Sequence, residues 1–159
     1  MITTLELSDG RQIEVQNFNS SLSCYGMLVF DTNRQHVLTI TTHRGVIGFP
    51  KGKRKPLESP IDCAIRELEE ETGFQAQYLN TINQPTEMII ENSHNGRPSI
   101  GLIQLVAKST APPPTPQDTN ELVSAQWMNA QQLCAHAAVC RKQGRAQVLL
   151  YVADLLRNY

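Results

Sequence analysis

The sequence predicts an α/β fold of the α+β kind, a mixed sheet packed between helices. Three observations predict it. Short segments of alternating or continuous apolar character recur between Thr3 and Met128. One well-capped helical stretch interrupts them near residues 59–73. Two further helical stretches follow Asn129. Predominant strands with one central helix and helices at the end argue for a mixed sheet packed between helices.

Taken in order, Thr3 to Leu7 and Gln12 to Val15 alternate apolar and polar residues about Ser8-Asp9-Gly10, a hairpin signal. Asn17 to Ser23 is polar and loop-like. Tyr25 to Phe30 is an apolar strand suited to the middle of a sheet. Asp31-Thr32-Asn33 turns the chain into a strand from His36 to Thr41, and Val46 to Phe49 is a short apolar run. Gly52 to Leu57 reads as a loop. The helix begins with Ser59 as N-cap, Pro60 at the first helical position and Asp62 in a Ser-x-x-Asp capping pattern. Ile61, Ala64, Ile65 and Leu68 fall on one buried face, and Gly73 ends the helix where a left-handed residue is needed. Gln75 to Ile82, Thr86 to Glu91 and Ser99 to Ala107 read as strands, with a turn over Asn92 to Pro98. Ser109 to Asn120 holds four prolines and reads as a loop. Glu121 to Met128 is a last strand; Ala130 to Val139 and Arg145 to Leu156 are helical by periodicity.

The bulk numbers bound the function. A chain of 159 residues with 40% apolar and 18% charged content fits one soluble domain over 1–159, its N-terminal hairpin covering about residues 1–18. Net charge is −1, which excludes a large basic surface for long nucleic acid. Cys24, Cys63, Cys134 and Cys140 show no zinc or redox spacing and read as reduced thiols. No signal pattern and no bilayer-length apolar run is present, so a cytoplasmic protein with no membrane partner is expected.

The chemistry concentrates between Gly52 and Phe74. Glu58, Asp62, Glu67, Glu69, Glu70 and Glu71 are six of the chain's 15 acidic residues, behind a basic cluster of Lys51, Lys53, Arg54 and Lys55. Glu67, Glu70 and Glu71 fall at i, i+3 and i+4 on one helix edge, where like charges repel. A divalent cation reverses that repulsion, and oxygen ligands without His or Cys suit Mg²⁺ or Mn²⁺. Arg66, four residues before Glu70, can orient a carboxylate with its planar fork. The competing reading is a solvated acidic helix face. Arg44 and the lysines beside the stretch are candidates for phosphate binding. Tyr25, Phe49, Tyr78 and Trp127 read as core aromatics, and the four histidines as structural or exposed.

These residues carry a resemblance. Gly52, Glu58, Arg66, Glu67, Leu68, Glu70, Glu71, Gly73 and Phe74 fill every fixed position of the Nudix box, Gly-x5-Glu-x7-Arg-Glu-U-x-Glu-Glu-x-Gly-U, with U bulky and apolar. The resemblance implies the Nudix α/β/α sandwich and Mg²⁺- or Mn²⁺-dependent hydrolysis of a nucleoside diphosphate linked to another group. It implies a metal site of Glu67, Glu70, Glu71 and Gly52, with Glu70, Glu67 and Arg66 in the catalytic machinery and Glu58 in support. Lys51, Lys53 and Arg44, which flank the box, are the candidates for contact with substrate phosphate. Gly48-Phe49-Pro50-Lys51-Gly52-Lys53 and Asp62 to Glu67 look most like the box of mRNA-decapping Nudix enzymes. Those enzymes carry a later Asn-Glu-apolar segment before a tryptophan, and Asn120-Glu121-Leu122 with Trp127 is similar. By that likeness Glu121 is a further metal ligand or the general base.

Departures are also visible. Decapping enzymes have an N-terminal helical domain and a strongly basic C-terminal helix. Here about twenty residues precede the first core strand, so that domain is expected to be missing. Arg141, Lys142, Arg145 and Arg157 are a thin substitute for the helix, and Ile47 stands at the tryptophan position before Gly-Phe-Pro. The expected partner is therefore a nucleotide or capped-RNA substrate. Dinucleoside polyphosphates, diphosphoinositol polyphosphates and nucleoside triphosphates are the alternatives, and a non-catalytic binding module of the same fold is the other class.

Overall fold

A computed structural model describes residues 1–81, 84–117 and 120–158. Within them the strands are β1 (Ile2–Glu6), β2 (Gln12–Gln16), β3 (Cys24–Phe30), β4 (Val37–Thr42), β5 (Ile47–Gly48), β6 (Lys51–Lys53), β7 (Leu79–Asn80), β8 (Thr86–Glu87), β9 (Ile89–Asn92), β10 (Pro98–Ala107) and β11 (Leu122–Met128). The helices are α1 (Pro60–Thr72), α2 (Ala130–Val139) and α3 (Gln143–Arg157). No helix among the described residues is long and apolar enough to cross a membrane.

An eight-stranded mixed sheet runs β11-β4-β3-β10-β7, with β5 on β4, β6 on β3 and β9 on β10. β3 and β10 pair in parallel at its centre, and the neighbouring pairs are antiparallel. The two faces follow the period of two along β3. Tyr25, Met27 and Val29 enter one apolar cluster with Ile61, Ala64 and Leu68 of α1. Leu28 and Phe30 enter a second with Leu133 and Ala137 of α2 and Val148, Leu149, Val152 and Leu156 of α3. The result is helix, sheet, helix. The hairpin β1-β2 joins β8 in a separate three-stranded sheet.

Helix α1 begins and ends as its local chemistry dictates. Ser59 Oγ accepts the Asp62 N–H at 3.2 Å, Pro60 opens the first turn, and Gly73 closes the helix at φ 71° with its N–H on the Glu69 carbonyl. Ile61, Cys63, Ala64, Leu68 and Thr72 are buried, whereas Ile65 is only half-buried.

Four segments differ from expectation. Gly52 and Lys53, expected to open a loop, belong to β6, because the backbone of Lys51–Lys53 pairs antiparallel with Cys24–Gly26. The strand expected from Gln75 is a 3-10 turn over Ala76–Tyr78 followed by the two-residue β7. The Arg11 guanidinium holds that turn through the Ala76 and Leu79 carbonyls. The strand expected over Thr86 to Glu91 divides at Met88. Val15 pairs with Thr86 on one side, and Ile89 pairs with Leu102 on the other, so the chain passes from one sheet to the next. α3 starts at Gln143, two residues before Arg145. Ile82, and Asp118 and Thr119 of the proline-rich loop, lie outside the described residues.

Candidate functional site

The box folds back on itself through Arg66. Its guanidinium donates from Nε to Glu58 Oε2 at 2.7 Å and from Nη2 to Glu58 Oε1 at 3.0 Å, a bidentate pair. Nη1 donates to Glu67 Oε1 at 2.9 Å and to Glu70 Oε2 at 3.3 Å. Nη2 also donates to the Lys53 carbonyl at 2.9 Å, tying α1 to β6. Glu58 further accepts the Lys55 N–H at 3.0 Å. Those contacts, Arg66 foremost, hold the Glu58 carboxyl down at about 2. The same partners, Glu58 first, raise Arg66 further above its already high value.

Glu71 takes a different partner. Its Oε1 accepts the Lys51 backbone N–H at 2.8 Å. Burial pushes Glu71 up to about 7 against that hydrogen bond, and the charges of Glu67 and Glu121 add to the rise. Burial likewise raises Glu67, opposed by Arg66. Burial lowers Lys51, with the Arg145 charge next in weight, while Glu91 and Glu71 act to raise it. The Cys63 thiol donates to the Gly52 carbonyl at 3.5 Å, and burial pushes it up to about 11, so it stays neutral.

Glu58, Arg66, Glu67, Glu70, Gly52 and Lys53 are therefore joined in one network, with Glu71 attached through Lys51. Glu121 is exposed at the entrance to β11, where its carbonyl accepts the His43 N–H at 3.2 Å, and its charge reaches Glu71. Lys53 is exposed on β6 and enters the network by its carbonyl. Arg44 stands in the turn between β4 and β5 and lines a cavity with residues of α2 and α3. Tyr25 and Phe49 are core, as expected. Sequence reasoning missed Glu91, a buried carboxylate on β9 whose charge acts on Lys51. Its only signal was an acidic residue within an apolar strand.

The donor set fits a hard divalent cation. Among the described residues no three Asp, Glu, His or Cys side chains already converge as a cage, because Arg66 draws Glu67 and Glu70 while Glu71 is held by the Lys51 amide. Glu67 and Glu71 each use one oxygen in these bonds, leaving the other without a hydrogen bond among the described residues. Both carboxyls are raised by burial and each adds to the other's repulsion or to that of its neighbours, a penalty that a cation relieves. Glu67, Glu70 and Glu71 would hold the ion.

Comparison with known proteins finds a family and a fold. A NUDIX domain model matches residues 22–150. The m7GpppN-mRNA hydrolase dcap-2 of Caenorhabditis elegans is 27% identical over 124 residues, 74% of this chain and 15% of that protein. Subunit 2 of the mRNA decapping complex of Schizosaccharomyces pombe is 32% identical over 79 residues, 48% of this chain and 11% of that protein. The match thus spans a small part of the length of these relatives. Among solved structures, a Caenorhabditis elegans Ap4A hydrolase binary complex aligns with TM-score 0.62 at 17% identity, covering 87% of this chain and 99% of that one. A hydrolase from M. smegmatis, RenU, aligns with TM-score 0.58 at 15% identity, covering 98% and 96%. At such identities the likeness is one of fold.

Proposed function

The chain belongs to the Nudix family, hydrolases of phosphorus-containing anhydrides that use divalent metal ions, and from that premise we propose a Mg²⁺- or Mn²⁺-dependent pyrophosphohydrolase acting on capped RNA or a cap-like nucleotide. The observation that carries the catalytic part is the Arg66 hub, which gathers Glu58, Glu67 and Glu70 beside a half-buried Glu71. The decapping part rests on the Gly48 to Lys53 segment and on the likeness to m7GpppN-mRNA hydrolase along 74% of the chain.

Each residue has a defined job. A bound divalent cation would neutralise charge on the phosphoryl oxygens and acidify a water. Arg66 ties Glu67 and Glu70 together on one edge of α1, and Glu58 anchors Arg66 from behind. The Lys51 amide orients Glu71. Lys51, Lys53 and Arg44 supply positive charge for the outer phosphates. Water attacks one phosphorus of the anhydride, forming a new P–O bond as the bridging P–O bond breaks. Glu121 accepts the proton of that water; service as a further metal ligand is its alternative role.

A second reading is hydrolysis of dinucleoside or diphosphoinositol polyphosphates. The net charge of −1 and the gathering of basic side chains in one cavity favour a compact polyanion. The test is turnover of a panel with Mg²⁺ or Mn²⁺ by the wild type and by Glu70→Gln. The panel holds capped RNA, cap analogue, diadenosine polyphosphates, ADP-ribose, nucleoside triphosphates and a diphosphoinositol phosphate. Release of a methylated guanosine diphosphate from capped RNA, abolished by Glu70→Gln, is expected. No metal-dependent product from any of them sinks the enzyme reading. Glu121→Gln should slow turnover in a folded protein.

A further inference from the structure

The proline-rich loop after β10 takes no part in the chemistry above. From Ala111 it reads Ala-Pro-Pro-Pro-Thr-Pro-Gln, ending at Gln117. Proline fixes its own φ at about −65° and pushes the residue before it out of the helical region. Every residue from Ala111 to Pro116 is a proline or precedes one, which dictates an extended polyproline II segment. Residues 111–116 are in neither helix nor strand, as that conformation requires. With about three residues per turn, positions three apart share an edge. Ala111 and Pro114 are half-buried, and Ala111 packs on the apolar cluster under α1, so their edge faces inward. Pro112, Pro113 and Thr115 are exposed, and Pro116 is half-buried.

The protein holds this segment at few points. The Ala111 N–H donates to the Lys108 carbonyl at 3.0 Å, and the Thr115 N–H donates to the Thr72 carbonyl, at the end of α1, at 2.8 Å. Gln117 Nε2 donates to the Thr115 carbonyl at 2.9 Å. Bracing α1 uses these bonds and the inward edge. Pro112 and Pro113 bring no donor to it, and among the described residues nothing donates to their carbonyls. They form an exposed ridge of fixed rings and carbonyl acceptors. The residues from Ala111 to Gln117 carry no charge, so their complement is not a charged surface.

We propose that this ridge docks a protein domain of the proline-recognising kind, one with a groove lined by aromatic side chains. Pro112-Pro113 and Thr115-Pro116 lie against the rings, and the O–H or N–H of the partner's tyrosines or tryptophans donates to the ridge carbonyls. Pro113 and Pro116 have the Pro-x-x-Pro spacing that such grooves take, and the spacer Pro114 is on the inward edge. The prolines have already ordered the segment, so docking loses little chain entropy. A contact of this length belongs to the small, transient end of protein interfaces. Thr115 is bonded to the last turn of α1, and Pro116 lies five residues before Glu121, so the partner sits beside the glutamate helix. Docking needs no turnover, and it stands or falls apart from the hydrolase reading.

The probes are purified SH3, WW and EVH1 domains, titrated singly into the isotope-labelled full chain and followed by its amide resonances. At least one domain should give saturable shifts centred on Ala111, Thr115 and Gln117. Pro113→Ala with Pro116→Ala should weaken binding of that domain about tenfold or more, and Pro114→Ala, on the inward edge, by less than about threefold. Thermal melts show whether each variant is folded. If the double variant is not, a synthetic peptide spanning Thr110 to Gln117 decides: it should displace the wild-type chain from the domain. No domain that shifts these amides overturns the proposal. So does an equal loss in Pro114→Ala and the double variant, or a peptide that displaces nothing. A double variant that melts lower while no domain binds the wild type assigns the prolines to bracing α1 alone, and docking is then ruled out.

Discussion

Gly52 and Glu67 are packed so closely that a Cβ on Gly52 would lie 2.2 Å from both the carboxyl carbon and Oε1 of Glu67. Carbon atoms in contact sit about 3.5–4.0 Å apart, so one of the two must yield. The Glu67 carboxylate is the end of a flexible side chain, and it moves before the paired backbone of β6 does. Gly52→Ala should therefore leave the fold in place and turn Glu67 away from Arg66. Misplacing a reacting group by about 1 Å can cost on the order of 100-fold in rate, and that is the loss expected in kcat. The unfolding free energy should change by only about 1 kcal/mol. Activity on the best panel substrate and a thermal melt check the pair of outcomes. A variant with wild-type kcat would show that Glu67 need not sit against the loop.

Glu71 gives the metal-free protein a pH dependence of definite sign. Its folded value is raised from 4.5 to about 7, chiefly by burial. Between those values the folded state binds more protons than the unfolded chain, so stability falls as pH rises through the interval. Glu67 is shifted in the same direction. Denaturant midpoints in EDTA should decline from pH 5 to pH 7.5, and Glu71→Gln should flatten the decline. Mg²⁺ at about a hundred times its dissociation constant should restore about 2.7 kcal/mol to the wild type at the upper pH. A midpoint that climbs with pH in EDTA would contradict the burial of Glu71.

Glu58 acts with the opposite sign in a lower window. Arg66 holds it near 2 against an ordinary 4.5. Its contribution is complete above pH 4.5 and is lost as pH falls through 2. Glu58→Gln keeps the shape but removes the charge of the bidentate pair, and should cost about 1–3 kcal/mol at pH 7. The gap between the two proteins in urea melts should narrow as pH drops below 4.5. A gap that stays constant to pH 3 would mean that packing, not charge, carries the Glu58 contribution.

What the sequence revealed and what it hid divide by the range of the forces. The helix α1 was legible to the residue, because Ser59, Pro60 and Gly73 act on backbone within one turn. The grouping of Glu67 and Glu70 about Arg66 was legible too, since helix periodicity alone brings them together. β6 was hidden because lysines and a glycine carry no strand signal, and its partner Cys24–Gly26 lies far away in sequence. The break at Met88 was hidden because β8 and β9 each read as strand, and only the pairing partners show that they belong to different sheets. Arg44 was named as a phosphate ligand, but its grouping with Arg141, Lys142 and Arg145 depends on how α2 and α3 pack on the sheet.

Leu57 sits in the left-handed region at φ 65° with its side chain fully in solvent. It occupies the tight turn that delivers Glu58 to Arg66. In that turn the Glu58 N–H donates to the Lys55 carbonyl at 3.1 Å, and the Lys55 N–H returns to Glu58 Oε1 at 3.0 Å. A leucine there pays about 1–2 kcal/mol in Cβ-to-carbonyl crowding. Glycine removes the crowding and gives back part of the gain through a freer unfolded chain. Leu57→Gly should therefore stabilise by about 0.5 kcal/mol and raise Tm by about 1–2 °C for a domain of this size. Leu57→Ala keeps the crowding and should leave Tm unchanged. Paired melts of the two variants separate the causes: if Leu57→Gly melts lower than Leu57→Ala, the preset turn, and not the strain within it, governs how firmly Glu58 is held.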